Sequence, residues 1–309
     1  MSTLVQPGAG VPGEEQVLHQ KKPGTGTGAA TWPVRIGLGL VCSVWLVPVI
    51  ALLLNSVRTR DAQQSSGWWA AIASPLDFTQ LTVSNYTRVL TTQDAGVNMG
   101  KAFVNSFIVT VPATVIPILI AAFAAYAFTF MKWRGRDIVF LIIVGLLVVP
   151  NQVALVPLLR LYGELGINQT FIAVWLVHIG FGMPLAVYIL RNYMSRLPTS
   201  ILESAKVDGA SDFTTFWRIV VPMSVPAFAS FAIFQFLWVW NDLLMTLLFL
   251  GRGDNTTSTV ALQGLQGQFG EGRELIPSAG FVAIMVPVTV FLTLQRYFIR
   301  GLTAGAVTG

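Results

Sequence analysis
Long apolar runs separated by short polar segments dominate this chain. They cover about residues 34–54, 103–131, 138–159, 171–190, 226–250 and 278–298. A helix of about 20 apolar residues crosses a hydrocarbon core roughly 30 Å thick. Within lipid each span must satisfy its own backbone hydrogen bonds, so every run predicts a helix. The pattern thus predicts an all-α polytopic bundle of six spans within residues 32–309. Residues 1–31, rich in Gly, Pro, Gln and Thr and without apolar periodicity, predict a disordered tail. The first run is longer than the roughly 7–15 apolar residues of a signal peptide. It closes on Asn55-Ser56-Val57-Arg58 with no small-residue cleavage site close behind, and therefore predicts a retained span. Pro112, Pro117, Pro157, Pro184 and Pro287 lie in or near the runs. Each removes a helix hydrogen bond, which predicts kinks in a moving pathway or simply the ordinary prevalence of proline in membrane helices.

Composition supports the same class. Hydrophobic residues make up 54% of the chain and charged residues 11%, against about 25% charged in soluble domains. Of the 19 Lys and Arg residues, twelve fall on one side if the N-terminus is inside: Lys21, Lys22, Arg35, Lys132, Arg134, Arg136, Arg191, Arg196, Lys206, Arg218, Arg296 and Arg300. The positive-inside rule then predicts both termini in the cytoplasm. The net charge of +5 does not imply nucleic acid, because the basic residues flank apolar runs and form no patch. Cys42 is the one cysteine, so no intrachain disulfide or cysteine metal cluster can form. His178 has no second ligand candidate near it in sequence and predicts a packing histidine. No metal site is expected.

The segment 191–225, expected to be a loop between spans four and five, carries the densest charge. Ser200-Ile201-Leu202-Glu203 has the form of a capping box, which predicts a short helix from Ile201 to Val207. Gly209 ends it, as the residue that takes left-handed backbone cheaply. Ser211 can cap a second helix, with Phe213, Phe216, Trp217 and Val220 on one face. Such an element fits a protein partner or an interfacial hairpin on lipid headgroups.

Glu203-Ser204-Ala205-Lys206-Val207-Asp208-Gly209-Ala210, followed by Phe216-Trp217-Arg218-Ile219-Val220-Val221-Pro222, resembles the EAA loop of ABC-importer permeases. Ser204 stands where the family has its first Ala. Asn105-Ser106, Ala125-Tyr126-Ala127-Phe128, Pro150-Asn151-Gln152, Val156-Pro157-Leu158, Leu165-Gly166-Ile167 and Trp240-Asn241-Asp242 extend the likeness. So does the ending Gln295-Arg296-Tyr297-Phe298, Gly301-Leu302, Gly305-Ala306 and Gly309, although the usual Lys-Gly end is Thr308-Gly309 here. Together these resemble the maltose-type branch of carbohydrate-uptake permeases, with α-glucoside permeases the nearest group.

That resemblance implies a subunit of a binding-protein-dependent importer in a bacterial cytoplasmic membrane, carrying a sugar or oligosaccharide. It implies a second homologous permease, an ATPase dimer and an extracytoplasmic solute-binding protein, besides membrane lipid. The outer segment 251–277 is the natural contact for the binding protein. The sequence has no Gly-x-x-x-x-Gly-Lys-Ser/Thr stretch, so ATP and Mg belong to the partner ATPase and this chain is not itself the enzyme. The resemblance makes Glu203, Ser204, Ala205, Asp208, Gly209 and Ala210 the ATPase-coupling loop, anchored by Phe213, Phe216 and Trp217.

For the substrate path, helical spacing places Phe234, Trp238, Asn241, Asp242 and Met245 on one face. Aromatic faces stack on sugar rings, while Asn and Asp bind hydroxyls. Asn241 and Asp242 equally suit hydrogen bonds that hold neighbouring helices together. Other readings are a permease for glycerol phosphate or a polyol, an ion-coupled transporter and a membrane-embedded enzyme. The ion-coupled transporter needs carboxylates in several spans, whereas only Asp242 is offered. The enzyme needs a catalytic pair, whereas the chain's two histidines are His178 and one in the 1–31 segment.

Overall fold
The structure is a computed structural model and describes residues 32–75, 77–91, 98–265 and 272–303, with side chains as far as Gln295. The expected tail, 1–31, lies outside the described residues. Among those described, regular structure is helical apart from one bridge between Arg58 and Leu81. The chain divides into two compact units, Met1–Val47 and Pro48–Gly309. The described part of the first unit is the opening of α1 (Trp32–Ser56), apolar all round and exposed. A helix with that pattern suits lipid.

In the second unit, short helices α2 (Arg60–Ser65), α3 (Ala70–Ala73) and α4 (Ser84–Thr91) lead to α5 (Met99–Phe130). Asn98 caps α5 by accepting from the Lys101 amide at 2.9 Å. Next come α6 (Arg136–Leu146), α7 (Asn151–Glu164) and α8 (Phe171–Met194). They are followed by α9 (Thr199–Val207), α10 (Asp212–Thr215), a π-helical turn (Phe216–Val220) and α11 (Val221–Met223). The chain continues with α12 (Val225–Trp240), α13 (Leu244–Phe249), α14 (Ser258–Gly264) and α15 (Ile276–Thr303). The core forms where α5 and α8 pack together, with α12 against both and α15 against α12. Ala121, Ala122 and Ala125 of α5 meet Ala186, Val187 and Leu190 of α8 in one buried cluster. Such small residues let backbones approach closely.

Four described helices are long and apolar enough to cross a bilayer uninterrupted, and counting each bent pair as one span gives six. The expected third span is one of these pairs: α6 and α7 meet at 97°. The break falls at Pro150, not at Pro157, which sits inside α7. Proline disfavours helical backbone in the residue before it, and Val149 is that residue. The expected loop 191–225 starts later, because α8 runs through Met194; Arg191 lies over the Phe140 ring at 4.5 Å.

The prolines inside the long helices are matched by distant donors. A helical proline leaves the carbonyl four residues earlier without its amide. Pro112 frees that of Ile108, and the Trp175 indole donates to it at 2.9 Å. Pro117 frees that of Ala113, which accepts from the Gln235 amide at 3.2 Å. Pro287 frees that of Ala283, which accepts from the Trp240 indole at 3.1 Å. In an apolar surround these donors remove the cost of an orphan carbonyl.

Candidate functional site
Two places carry the residues singled out from sequence: the elbow between α8 and α12, and the middle of α12 with the break that follows it.

At the elbow, α9 begins at Thr199, with Pro198 at its N-cap and no side-chain cap bond. The expected capping box does not form. Ser200 lies inside the helix, where its carbonyl accepts from the Ser204 hydroxyl at 2.9 Å. Gly209 has φ +79°. Its amide donates to Lys206 at 3.1 Å and that of Ala210 donates to Ala205 at 2.9 Å. This pair of bonds is the Schellman ending that favours glycine. Ser211 caps α10 by accepting from the Thr214 amide at 3.2 Å. The elbow therefore has two faces. Glu203, Ser204, Lys206, Val207 and Asp208 are exposed, while Leu202 and Ala205 are buried beneath them.

The apolar face expected for the second helix is split. Phe216 and Val220 are buried, whereas Phe213 is 66% and Trp217 41% exposed. The π turn widens the helix over Phe216–Val220, and neighbours decide which side chains go inward. Phe216 stacks on Phe123 with centroids 4.6 Å apart and meets Tyr126 edge-on at 5.4 Å. The Tyr126 hydroxyl donates to Asp212 at 3.3 Å, fixing the start of α10 to α5. Trp217 reaches only the edge of Phe123, at 6.0 Å, and Phe213 only Trp217, at 6.3 Å.

The second place departs further from expectation. The fifth run does not continue as one helix to residue 250; α12 ends at Trp240 and α13 starts at Leu244. Asp242 accounts for the interruption. Its carboxylate accepts from the Thr246 amide at 3.0 Å and the Thr246 hydroxyl at 3.3 Å, which starts α13 afresh. Its carbonyl accepts from the Thr259 hydroxyl at 2.9 Å. The expected common face is consequently broken. Phe234 and Trp238 line a cavity between α7, α8 and α12. Asn241 is exposed and donates back to the Leu237 carbonyl at 2.7 Å. Met245 is buried against α7 and α8 residues.

Sequence reasoning missed two relationships here. His178 is fully buried, with Nδ1 2.9 Å from the Val174 carbonyl and Nε2 3.5 Å from the Asp242 carboxylate. The latter is an ionic contact by distance without the alignment of a hydrogen bond. The His178 ring also meets Trp238 edge-on at 5.6 Å. Gln235, 1% exposed, went unmarked. The proline at position 117 was the available signal, since its orphan carbonyl requires a donor from elsewhere.

Comparison with known proteins gives one consistent picture. Residues 104–304 match the family model described as "Binding-protein-dependent transport system inner membrane component". The chain is 47% identical to the osmoprotective compounds uptake permease protein GgtD of Synechocystis, over 89% of this chain and 91% of that one. It is 38% identical to the alpha-glucoside transport system permease protein AglG of Rhizobium meliloti, over 90% and 97%. Among solved structures, a bacterial ABC transporter involved in import of the acidic polysaccharide alginate aligns with TM-score 0.65 at 20% identity. That alignment covers 86% of this chain and 94% of that one.

Proposed function
Because the chain belongs to the family of inner membrane components of binding-protein-dependent transport systems, we propose that it is the permease subunit of an ATP-driven sugar importer whose elbow receives the motion of a separate ATPase. The two-faced elbow carries this reading. Its exposed row of Glu203, Ser204, Lys206 and Asp208 offers charge and hydrogen bonds to a partner groove. Its underside is tied to α5 through Phe216 and Tyr126. Force applied at α9 passes through packed side chains into the bundle, where two packings are biased by the partner's nucleotide state. ATP and Mg reside on that partner, and this chain supplies no group to hydrolysis.

The assembly comprises a second permease, an ATPase dimer and an extracytoplasmic binding protein contacting the segment 251–277, part of which lies outside the described residues. Both termini face the bacterial cytoplasm. A sugar cargo is supported by relatives named for alpha-glucoside and trehalose/maltose transport, the latter from Thermococcus litoralis at 32% identity. A small osmolyte is the second cargo class, supported by the 47% identical relative named for osmoprotective compounds.

The test is Gly209→Pro in the co-expressed complex. Proline holds φ near −65° and has no N–H, so it conflicts with both the +79° backbone and the bond to Lys206. The complex should still insert and assemble while sugar-stimulated ATP hydrolysis disappears. Normal transport by this variant would remove the coupling role from the elbow.

A further inference from the structure
We propose that the cavity between α7, α8 and α12 is a solute-binding subsite of this chain, selective for an uncharged, hydroxyl-bearing ring. The proposal rests on the importer reading and adds where the cargo sits and which charge it carries.

The cavity encloses about 500 Å³, within the usual range of roughly 300–1,000 Å³ for small-molecule pockets. Its wall is largely apolar, and no residue lining it is charged. The polar groups it offers are few and fixed. Tyr162, only 7% exposed, lines it, and its hydroxyl has no hydrogen-bond partner among the described residues. A buried hydroxyl without a partner is costly. A solute hydroxyl would complete it. Gln235 lines the cavity as well, its amide nitrogen held by the carbonyls of Ala113 at 3.2 Å and His178 at 3.4 Å. Its oxygen is thereby left as an acceptor, and no bond to it occurs among the described residues. Gly182 makes room for that amide, since a Cβ there would lie 2.6 Å from the Gln235 nitrogen. Phe234 and Trp238 contribute aromatic rings, with Trp238 steadied by the edge-on His178 ring.

An apolar ring face against aromatics, with one donor and one acceptor for hydroxyls, matches a neutral glycoside. A uronate would lose its hydration shell here without meeting a cation, at a cost far above that of a neutral hydroxyl. This sets the chain apart from a carrier of acidic polysaccharide.

The experiment uses the assembled transporter in lipid nanodiscs and the photoreactive sugar 4-azidophenyl α-glucopyranoside, with labelled peptides mapped by mass spectrometry. Label is expected on α7, α8 or α12, suppressed by maltose and not by a diguluronate disaccharide. Tyr162→Phe keeps the ring and its packing on Phe249. It breaks no bond within the described protein, so its melting temperature should stay unchanged while labelling affinity falls roughly three- to tenfold, the worth of one hydrogen bond. Undiminished labelling in Tyr162→Phe, or label outside these helices, overturns the subsite and leaves the importer reading intact. Label insensitive to maltose identifies lipid as the occupant and likewise overturns it. Equal competition by diguluronate overturns the charge selection. Failure of the wild-type chain to assemble with an ATPase instead removes the importer reading itself.

Discussion
The elbow and the end of α12 both interrupt a helix, and they do so by opposite means. The elbow is built from near neighbours in sequence: Gly209 and Ala210 turn back onto Lys206 and Ala205, and Ser211 reaches Thr214. The α12 region depends on distant ones. Gln235 reaches Ala113, Trp240 reaches Ala283, and Asp242 meets His178 and Thr259. A locally closed turn can be exposed and can move as a unit. A turn closed by four other elements is fixed by them, and its substitution is felt as stability. The contrast therefore separates variants that uncouple a folded protein from variants that unfold it.

Phe216 is where the contrast is sharpest, since it belongs to the elbow by sequence and to the core by burial. Truncating a buried Phe costs about 3–5 kcal/mol. Phe216→Ala should lower the melting temperature of the purified complex strongly, whereas Phe213→Ala, at 66% exposure, should leave it nearly unchanged. Equal effects would mean that the π turn does not sort the two rings.

The proline and donor pairs give the next effect. Gln235→Leu leaves the Ala113 carbonyl buried with no donor, which costs about 1–3 kcal/mol. Pro117→Ala supplies the missing amide within α5. In the Pro117→Ala background the Gln235→Leu substitution should cost less than half as much, as measured by thermal unfolding of the four proteins of the cycle. Additive losses would show that Gln235 does not serve that carbonyl.

The same locality decides what could be read in the sequence. Apolar runs long enough for a bilayer gave the helices, and Gly209 with Ser211 gave the elbow's turn, because each signal lies within a few consecutive residues. The capping box was misplaced by two residues, as Ser200 and Glu203 fit a pattern that Pro198 and Thr199 pre-empted. The face running from Phe234 to Met245 assumed an unbroken helix, and only the bonds of Asp242 to Thr246 reveal that it is two. His178 looked solitary because its carboxylate neighbour lies in another element. Tyr162 and Gln235 were invisible for the same reason: neither stands in a local pattern, and each acquires meaning from what folding brings beside it.

The smallest effect concerns the segment between α13 and α14, which is tied to α5 by one charged and one neutral attachment. Lys101 pairs with Asp254 at 2.7 Å, with both side chains exposed. The hydrogen bond from Lys101, and then its charge, hold the Asp254 carboxyl below its ordinary value of 3.8. A lowered carboxyl stabilises the folded form above that ordinary value, and the contribution is lost as pH falls through the depressed one. The pair should therefore act fully at neutral pH, fade only below 3.8 and weaken with salt, as exposed pairs do. Asn105 provides the neutral attachment, donating to the carbonyls of Asp254 and Thr256 at 3.0 Å each while 6% exposed. Burial screens those bonds from water and salt, so Asn105→Ala should cost about 1–3 kcal/mol and Asp254→Asn very little. Hydrogen exchange of the Gly253–Thr257 amides reads both variants at once. Faster exchange in Asp254→Asn than in Asn105→Ala would reverse the ranking and place the main attachment at the surface charge.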